Sequence, residues 1–396
     1  MFLHYLLLLN ATIAVLSAVY YSVNTYHARR YKHRKLSAGL QISDVSVVIT
    51  VHKESRRMFE NAIRAVSLQK ARFFVLGDTR YEELTKTYGG TFINFVGRKR
   101  DKLNYIMPMI NTPYVLFLDS DTIISEGDIG RMRANFTPKV GGVSVNVMFA
   151  GTSLVSLCSN FFARIGEVVS RSLSTVTGNG LLLNGVCSMY QTEVVRPLIE
   201  SEAFRNPKIM GIKSILSDDR QLTNYVIKTG YKAVVDYGIN VETKPQKNMY
   251  FFSMQLTRWI RGGFLYFLQE LSDGTAFKRG GLYTFNSFFM YSLPLILAVS
   301  YVASLSHNVM PFYLMELQHI LAMQLNRLSG DFLIVNMLRL LGVASTAAFI
   351  LTLRRMINSK YRNRILLSGI VTIAFLSVFS IYAILTSWKQ TEWLTR

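Results

Sequence analysis

The sequence is poor in charged residues, and acids are the scarcer sign. Only 17% of the 396 residues are charged, whereas about a quarter is usual in soluble globular chains. The 44 Lys and Arg outnumber the 24 Asp and Glu, which gives a formal net charge of +20, and half of the residues are hydrophobic. So much apolar sequence excludes an intrinsically disordered chain. A membrane protein with a basic cytoplasmic part accounts for both features.

Several kinds of site are also missing from the sequence. The two cysteines, Cys158 and Cys187, cannot build a disulfide framework, match no zinc-site spacing and have no histidine near them in sequence. The absence of a Gly-x-x-x-x-Gly-Lys motif disfavours a P-loop ATPase. The positive charge would suit nucleic acid, but contact with anionic lipid headgroups explains it more simply, so we expect no nucleic-acid partner.

Four apolar runs are long enough to cross a hydrocarbon core about 30 Å thick. They lie at Phe2–Val23, Leu282–Leu305, Phe332–Leu353 and Ile365–Ser387. Five fixed positive charges and no acid follow the first run within 27–35. A cleaved signal peptide carries its basic residues before the apolar core, so this run is predicted to be an uncleaved anchor whose C-terminal side is cytoplasmic.

The links between the runs predict which side of the membrane each occupies. Residues 354–364 hold five Lys or Arg and no acid, whereas 306–331 hold one Arg and two acids. We therefore expect 354–364 inside and 306–331 outside. This gives an integral cell-membrane protein with a transmembrane helix at 1–24, a basic cytoplasmic linker at 25–44 and transmembrane helices within 279–396. Pro311–Leu325 is too short to cross, and an interfacial helix or a re-entrant turn would suit it.

Residues 45–247 read as an α/β domain, because short β-branched or aromatic runs alternate with amphipathic stretches. The predicted strands are Val45–Val51, Arg72–Gly77, Thr91–Val96, Tyr114–Leu118, Val143–Met148 and Lys232–Asp236. The predicted helices are Arg56–Gln69, Tyr81–Tyr88, Lys102–Ile110 and Arg220–Thr229.

The fourth predicted strand runs into two aspartates, Asp119 and Asp121. Side chains alternate along a strand, so both carboxylates point the same way. At the C-terminal end of an inner strand they lie where α/β sheets bind ligands. Carboxylates are hard oxygen ligands, suited to Mg²⁺ or Mn²⁺ bridging to a diphosphate. A polar turn is the alternative explanation.

Acids also stand at the ends of the first two predicted strands, as Glu54 and Asp78. Carboxylates there can hold the base and ribose of a nucleoside, although a solvated turn explains either one equally well. Lys99 lies in a loop with four bases in six residues, 97–102, just before a helix. Phosphate binding and a solvated basic loop are both open explanations.

Ser217, Asp218 and Asp219 open a helix. The serine can cap it, and acids in the first turn suit the positive end of the helix dipole. Capping and the helix dipole explain one acid fully but explain two adjacent acids less well. The same position keeps a carboxylate ionised at neutral pH, so it could accept a proton from an attacking sugar hydroxyl.

Gln255, Arg258 and Trp259 fall at i, i+3 and i+4, on one face of a helix. Arginine offers a fork for phosphate oxygens, and tryptophan a flat apolar face for a pyranose ring. The surrounding helix, Met249–Leu271, is aromatic and has few charges, so we expect 248–278 to be an interfacial amphipathic segment. An aromatic membrane anchor is the alternative role of Trp259.

The order of these motifs resembles that of family 2 glycosyltransferases built into membranes. Lys99 before a helix, Asp119-x-Asp121, Ser217-Asp-Asp-Arg-Gln-Leu-Thr-Asn224 and Gln255-x-x-Arg-Trp259 succeed one another as they do in hyaluronan synthase, with chitin and cellulose synthases as more distant relatives. The resemblance covers about 45–270 and the flanking runs. It implies a GT-A-type α/β cytoplasmic domain joined to a transmembrane α-helical region of about four spans plus interfacial helices.

The resemblance also implies roles for individual residues. Asp219 would be the catalytic base, and Asp121 with Asp119 would hold Mg²⁺ or Mn²⁺. The nucleotide would be bound by Glu54, Asp78, Lys99, Asp119, Gln255 and Arg258. The acceptor would contact Trp259, Asp218 and Cys187. The last of these lies in the segment Asn184–Tyr190, which occupies the place of the family's acceptor loop but departs from its usual pattern at Val186 and Ser188.

The implied function is a metal-dependent, processive, inverting hexosyltransferase that moves sugar from a UDP-sugar to a growing polysaccharide and extrudes it. A non-processive enzyme acting on a lipid-linked acceptor is the alternative within this class. A transporter or channel with a nucleotide-binding domain is the alternative from another class. Four spans are few for a polysaccharide channel, so a channel would need Pro311–Leu325 or a second copy of the chain, as in a homo-oligomer.

Overall fold

The computed structural model describes residues 2–32, 42–306 and 330–391. Nine β-strands lie in the catalytic region: β1 Val45–Thr50, β2 Arg72–Gly77, β3 Thr91–Asn94, β4 Tyr114–Asp119, β5 Val140–Phe149, β6 Cys187–Gln191, β7 Lys208–Ile209, β8 Ile212–Lys213 and β9 Lys232–Thr243. Seven of them form one mixed sheet in the order β3-β2-β1-β4-β6-β5-β9. Strand β6 is antiparallel to β4 and β5, and the other neighbours are parallel.

Eight helices precede or flank this sheet: α1 Phe2–Arg30, α2 Arg56–Ser67, α3 Glu82–Thr87, α4 Lys99–Ile106, α5 Asp128–Ala134, α6 Leu154–Thr177, α7 Thr192–Ile199 and α8 Glu202–Arg205. Six more follow: α9 Asp218–Lys228, α10 Met249–Ser272, α11 Thr275–Lys278, α12 Gly281–Ser306, α13 Gly330–Met356 and α14 Arg362–Leu385. Short 3₁₀ turns at Thr79–Tyr81 and Met107–Met109 complete the described elements.

The sheet is covered on both faces, which is why its inner strands are continuous apolar runs rather than alternating ones. One core contains Phe59 and Ile63 of α2 against Val47 and Ile49 of β1. The other contains residues of α4, α7 and α9 against Val48. Because β2, β1 and β4 are adjacent and parallel, their C-terminal ends share one edge of the sheet, where Thr50 pairs with Asp119.

Helices α6 and α10 connect the catalytic region to the apolar helices. Helix α1 packs on α12 and α13, with Tyr20 stacked on Phe289 at a ring-centroid distance of 4.3 Å. Asn24 and Asn286 exchange two hydrogen bonds of 2.8 and 3.0 Å between α1 and α12, and both are buried. This amide pair satisfies two polar side chains that would be costly to leave unpaired in an apolar helix bundle.

The strand predictions agree with the structure best at the parallel edge. Strand β2 has the predicted bounds, and the other five predicted strands all exist with shifted ends. Helix α4 begins at Lys99, earlier than predicted, so Lys99 lies in its first turn. Seven elements were not predicted from the sequence: β6, β7, β8, α5, α6, α7 and α8.

Among the described residues, two helices are long and apolar enough to cross a membrane by length and composition: Gly281–Val299 and Arg362–Leu385. The runs at Phe2–Val23 and Phe332–Leu353 lie within α1 and α13. Four crossings therefore stay a prediction. The predicted interfacial segment Pro311–Leu325 lies outside the described residues.

Candidate active site

Three predicted acids meet at the shared edge of the sheet. Asp78 follows β2, Glu54 follows β1, and Asp119 ends β4. The Tyr81 hydroxyl donates to the Glu54 carbonyl oxygen at 2.9 Å, which ties the first two strand ends together. Asp78 accepts the backbone N–H of Arg80 at 3.1 Å, and this hydrogen bond lowers the pKa of the Asp78 carboxyl. The parallel topology thus lines one edge with carboxylates.

Lys99 connects this edge to the start of α9. Its Nζ atom donates to Asp119 Oδ1 at 2.7 Å and to the Gly185 carbonyl oxygen at 2.9 Å, and lies 3.9 Å from Asp218 Oδ2. Burial disfavours the charged lysine, but the carboxylates of Asp119 and Asp218 outweigh it and raise the pKa of Lys99. Lys99 is therefore a fixed cation between two acidic segments that are about a hundred residues apart in sequence.

The chain enters α9 through a strained turn. Ser217 has φ of 56° and ψ of 50°, a left-handed conformation that is uncommon for a residue with a side chain. Its hydroxyl makes no capping hydrogen bond, so the capping role predicted for it is wrong. Instead, Asp219 Oδ1 accepts the N–H of Arg220 at 2.8 Å. Backbone strain of this kind is concentrated at functional sites.

The two acids at the start of α9 have opposite pKa shifts. Burial and the charge of Asp218 raise the pKa of Asp219 to about 6. Burial alone would also raise the pKa of Asp218, but the charges of Lys99 and Arg100 bring it below its usual value. Neighbouring carboxylates whose environments push their pKa values apart can take different roles. Asp218 stays ionised, while Asp219 has a pKa matched to proton transfer near neutral pH.

Helix α10 brings the third predicted motif to these acids. The positive charge of Arg258 lowers the pKa of both Asp218 and Asp219, so its guanidinium group is close to them. Gln255 is 7% exposed, and its side-chain Oε1 has no hydrogen-bond partner in the structure. A buried, unsatisfied amide oxygen is unusual, and a bound ligand is one way to satisfy it.

A glycine allows α10 to approach the turn before Asp219. A Cβ atom on Gly262 would lie 2.2 Å from Ser217 Oγ and 3.3 Å from Ser217 Cβ. Gly263 is similarly crowded, since a Cβ atom there would lie 2.4 Å from the Tyr291 hydroxyl. Gly262 therefore sets the distance between α10 and the acidic turn, while Gly263 allows Tyr291 of α12 to approach α10. Neither glycine was predicted to matter from the sequence.

Two predicted acceptor residues have other contacts. The Trp259 ring stacks on Phe162 of α6, with centroids 5.4 Å apart and an interplanar angle of 16°, so a neighbouring helix covers one of its faces. Cys187 is fully buried in the sheet core, with its Sγ 3.9 Å from Met132 Sδ. Its side chain has no exposed surface in this structure, and its role in acceptor binding stays a prediction. Gly185, just before β6, contacts the site instead, because its carbonyl oxygen accepts a hydrogen bond from Lys99 Nζ.

The segment before β6 is shaped by one amide side chain. Asn184 Oδ1 accepts the N–H groups of Val186 at 3.1 Å and Cys187 at 2.9 Å, and its Nδ2 donates to the Val145 carbonyl oxygen at 2.9 Å. These bonds fix Gly185 opposite Asp219, whose Oδ2 would lie 3.6 Å from a Cβ atom on the glycine. The absence of a side chain at 185 keeps the front of Asp219 open.

Asp119 and Asp121 are the candidate ligands of a divalent cation. Strand β4 ends at Asp119, and the next two residues form a turn closed by the hydrogen bond from Thr122 N–H to the Asp119 carbonyl oxygen at 3.1 Å. Ser120 is buried in this turn, while Asp119 and Asp121 are partly exposed. Asp121 Oδ1 accepts the Thr243 hydroxyl at 3.4 Å. The described residues contain no group of three or more His, Cys, Asp or Glu able to hold a metal. Two carboxylates suit a magnesium-type site completed by water and substrate phosphates.

Sequence reasoning missed a buried polar network behind α9. Glu270 of α10 accepts Arg220 Nε at 2.8 Å and Nη2 at 3.1 Å, and the Asn224 amide at 2.7 Å. Arg279 lies 3.8 Å from the same carboxylate, and the Tyr283 hydroxyl also donates to it. The only sequence signal was a lone acid in a charge-poor helix.

These features together define the class of protein. The seven-stranded mixed sheet, with carboxylates at the edge where its parallel strands end, is a GT-A-like α/β glycosyltransferase fold, and a match among solved structures agrees. That structure is a mannosyltransferase of Pyrobaculum calidifontis in complex with GDP-Man and Mn²⁺. It matches with a TM-score of 0.58 and 14% identity over 96% of this chain and 99% of that one.

Residues 81–262 match the family model described as "Glycosyltransferase like family 2". This part of the chain is therefore similar to family 2 glycosyltransferase domains. Among curated relatives, hyaluronan synthase of Streptococcus pyogenes is 26% identical over 152 residues, which are 38% of this chain and 36% of that protein. Hyaluronan synthase 3 of Homo sapiens is 27% identical over 175 residues, 43% of this chain and 31% of that protein. The match thus spans about a third of these relatives' length.

Proposed function

We propose that the protein is a metal-dependent, inverting membrane glycosyltransferase that transfers sugar from a UDP-sugar to a growing polysaccharide. The observation that carries this proposal is the convergence on Asp219 of three parts of the chain. The positive charges of Lys99 and Arg258 both lower the pKa of Asp219, and Asp119 accepts a hydrogen bond from Lys99 at 2.7 Å. The partial similarity to hyaluronan synthases supports a polysaccharide product.

The donor would lie along the acidic edge of the sheet. Asp78 and Glu54 would accept hydrogen bonds from the base and ribose, as carboxylates at this edge can. Lys99, Gln255 and Arg258 would contact the diphosphate. Gln255 is 7% exposed, and its amide N–H₂ can donate to a phosphate oxygen.

Asp121 and Asp119 would hold Mg²⁺ or Mn²⁺. When bound, such a cation neutralises charge that develops on the diphosphate leaving group. The P. calidifontis mannosyltransferase was solved with Mn²⁺, and the two carboxylates here are hard oxygen ligands of the kind that both metals accept. Lys99, which already binds Asp119, would add a second positive charge beside the diphosphate.

The chemical step would be a single displacement with Asp219 as general base. An acceptor hydroxyl attacks the anomeric carbon while Asp219 takes its proton. The bond from that carbon to the β-phosphate oxygen breaks, and UDP leaves with the bonding pair. Attack from the face opposite to UDP inverts the anomeric configuration. Gly185, which has no side chain, leaves room for the acceptor before Asp219, and the face of Trp259 opposite to Phe162 would stack on its sugar ring.

A second candidate is transfer of a single sugar to a lipid-linked acceptor. The structural match to a mannosyltransferase is a likeness of fold and fits this candidate as well as the first, and the hyaluronan synthases are matched over about a third of their length. On this alternative the donor could be a GDP-sugar. The two candidates share the cleft and differ in product size.

The test is incubation of purified, lipid-reconstituted protein with a panel of UDP-sugars and GDP-mannose, with Mg²⁺ or Mn²⁺, followed by product sizing. We expect UDP release and a high-molecular-weight polymer from one or two UDP-sugars. A single-sugar lipid product would establish the second candidate instead. No nucleotide release with any donor would overturn the enzyme assignment.

The matched variant for this assay is Asp219→Asn. It removes the proton acceptor but keeps the side-chain volume and the hydrogen bond to Arg220. We expect nucleotide binding, measured by calorimetry, to be unchanged and turnover to fall by about a hundredfold or more. Near-normal turnover would show that Asp219 is not the base.

A further inference from the structure

Helix α14 begins against the catalytic region. Cys158 Sγ of α6 contacts the Ser368 carbonyl oxygen at 3.7 Å, and a Cβ atom on Gly369 would lie 2.5 Å from the Phe161 ring. Helix α6 is itself fixed to the sheet, because Asn160 bonds both the N–H and the carbonyl oxygen of Phe149 in β5. The first turns of α14 are therefore on the catalytic side.

The chain that follows α14 returns to the acidic turn. The Thr386 hydroxyl accepts Arg261 Nε at 3.0 Å and Nη2 at 2.8 Å. The Gln390 carbonyl oxygen accepts the N–H of Ile215 at 3.1 Å, and the Ser214 hydroxyl donates to Gln390 Oε1 at 3.1 Å. Gln390 is completely buried. Both ends of α14 thus contact the same domain.

A crossing helix of this length would separate its ends. At 1.5 Å per residue, the 24 residues of α14 span about 36 Å, slightly more than a hydrocarbon core of about 30 Å. A spanning orientation would put the two ends at opposite membrane surfaces. Helix α14 instead runs beside α10, where Phe375 lies 6.3 Å from Phe252 between ring centroids. Helix α10 also carries Arg258, whose positive charge lowers the pKa values of Asp218 and Asp219.

The two faces of α14 are unlike each other. The inward face has mostly small and hydroxyl side chains, namely Ser368, Gly369, Thr372, Ser380 and Ala383, which allow close packing on the neighbouring helices. The outward face has large apolar side chains that are half exposed or more: Leu367, Ile370, Ile373, Val378, Tyr382 and Leu385. Hydrophobic surface of this extent on one helix face indicates a lipid contact.

The ends of α14 carry the residues that anchor helices at membrane surfaces. Tyr361 and Arg364 stand at its start, with the guanidinium carbon 5.8 Å from the ring centroid. Trp388 and Lys389 follow its end, and both are exposed. Aromatic and basic side chains favour the headgroup level, and basic ones the cytoplasmic leaflet. Both ends therefore suit the headgroup level.

We propose that α14 does not cross the bilayer but lies flat in the leaflet on the catalytic side, with its outward apolar face in lipid. This replaces the crossing that hydropathy predicts for Ile365–Ser387 and places 386–390 on the same side as Asp219. The proposal rests on contacts and exposed surface alone, so it stands or falls independently of the reaction.

The first test measures sidedness by cysteine labelling. Lys389→Cys is compared with Lys86→Cys, an exposed position on α3 of the catalytic region. Sealed inside-out and right-side-out vesicles are treated with a membrane-impermeant maleimide, before and after detergent. The native Cys158 and Cys187 are buried, so the unmutated chain gives the background. We expect both variants to label from the same side. Labelling from opposite sides overturns the proposal.

The second test measures depth with a matched control. A fluorescent label is placed at Leu367→Cys or Val378→Cys in α14, and at Phe288→Cys or Val299→Cys in α12, which also has the composition of a span. Each pair is eleven residues, about 16 Å, apart along its helix. Quenching by lipids spin-labelled at known depths, in phosphatidylcholine–phosphatidylglycerol vesicles, reports the position of each label.

We expect equal depths for the two α14 labels and clearly different depths for the two α12 labels. If the depths of the two α14 labels differ as much as the depths of the two α12 labels, α14 crosses the bilayer. An α14 pair that no lipid quencher reaches would mean that protein, such as a second copy of the chain, covers the face. Either result overturns the proposal.

Discussion

Arg220 and Glu270 form a buried two-point ion pair that joins the helix of the catalytic acids to α10. The two nitrogens of the fork lie 2.8 and 3.1 Å from the two carboxylate oxygens, and Glu270 is 1% exposed. Arg220 directly follows Asp219 and donates its N–H to that carboxylate. The pair therefore fixes the residue that orients the proposed base, from a position 50 residues further along the chain.

Glu270→Gln should destabilise the protein strongly. Removing one member of a buried ion pair leaves an uncompensated charge, which costs about 3–5 kcal/mol. Thermal unfolding in detergent measures the effect. The control is Glu82→Gln, which removes an exposed pair with Lys86 and should change stability by less than about 1 kcal/mol. Equal melting temperatures for the two variants would show that the buried pair contributes no stability.

The same carboxylate gives stability a defined pH dependence. Burial opposes its charge, but Arg220 and Arg279 lower the pKa of Glu270 to about 2. A carboxyl group whose folded pKa is depressed stabilises the fold fully above its unfolded pKa of about 4.3, and this contribution is lost as the pH falls towards 2. In Glu270→Gln this part of the acid dependence should be absent from unfolding curves between pH 5 and pH 3.

Turnover should fall on the acid side with an apparent pKa near 6. Asp219 has a pKa of about 6 and must be ionised to accept a proton, so the rate should drop about tenfold per pH unit below it. Asp218→Asn removes a negative charge that raises this pKa, so the acid limb should move to lower pH. Comparing the pH–rate profiles of the unmutated protein and Asp218→Asn tests this. If the acid limb of the profile does not move, Asp218 does not influence the pKa of the base.

Lys99→Met should weaken donor binding. The change leaves Asp119 without its 2.7 Å partner and removes a positive charge beside the proposed diphosphate site. A hydrogen bond to a charged group is worth about 1.5–3 kcal/mol, so we expect the donor KM to rise roughly ten- to a hundredfold. The matched control is Lys228→Met, which removes an exposed pair with Asp273 and should leave KM unchanged. Similar KM values would exclude Lys99 from the donor site.

Gly262→Ala should lower turnover by displacing the acidic turn. The new Cβ atom would lie 2.2 Å from Ser217 Oγ and 3.3 Å from Ser217 Cβ, so α10 or the turn must shift. A small displacement of a catalytic group can cost about a hundredfold in rate. Gly166→Ala in α6 is the control, since no atom lies within 4 Å of its added Cβ. That control should be active and slightly more stable.

Local sequence was sufficient where a segment's surroundings match its composition. Strand β2 has its predicted bounds because its apolar run is buried on both faces between β1 and β3. Helix α6 was missed because its inward face includes Asn160, Arg164 and Glu167. Their partners lie on the helix and elsewhere in the fold, as in the 2.5 Å contact of Arg164 with Glu167 and the bond from Arg164 to the Val147 carbonyl oxygen. Burial of such residues has no periodic apolar signal.

The features of the site likewise divide into those that sequence spacing predicts and those that only the tertiary structure locates. The sequence alone determined the order of the acidic strand ends, the acidic turn and the Gln-x-x-Arg-Trp segment, because each depends on spacing along a strand or a helix turn. Only the tertiary structure decided that Lys99 joins Asp119 to Asp218, that Cys187 faces the core, and that both ends of α14 contact the domain that holds these residues. Hydropathy reports how apolar a segment is, whereas contacts with distant residues decide which way it faces.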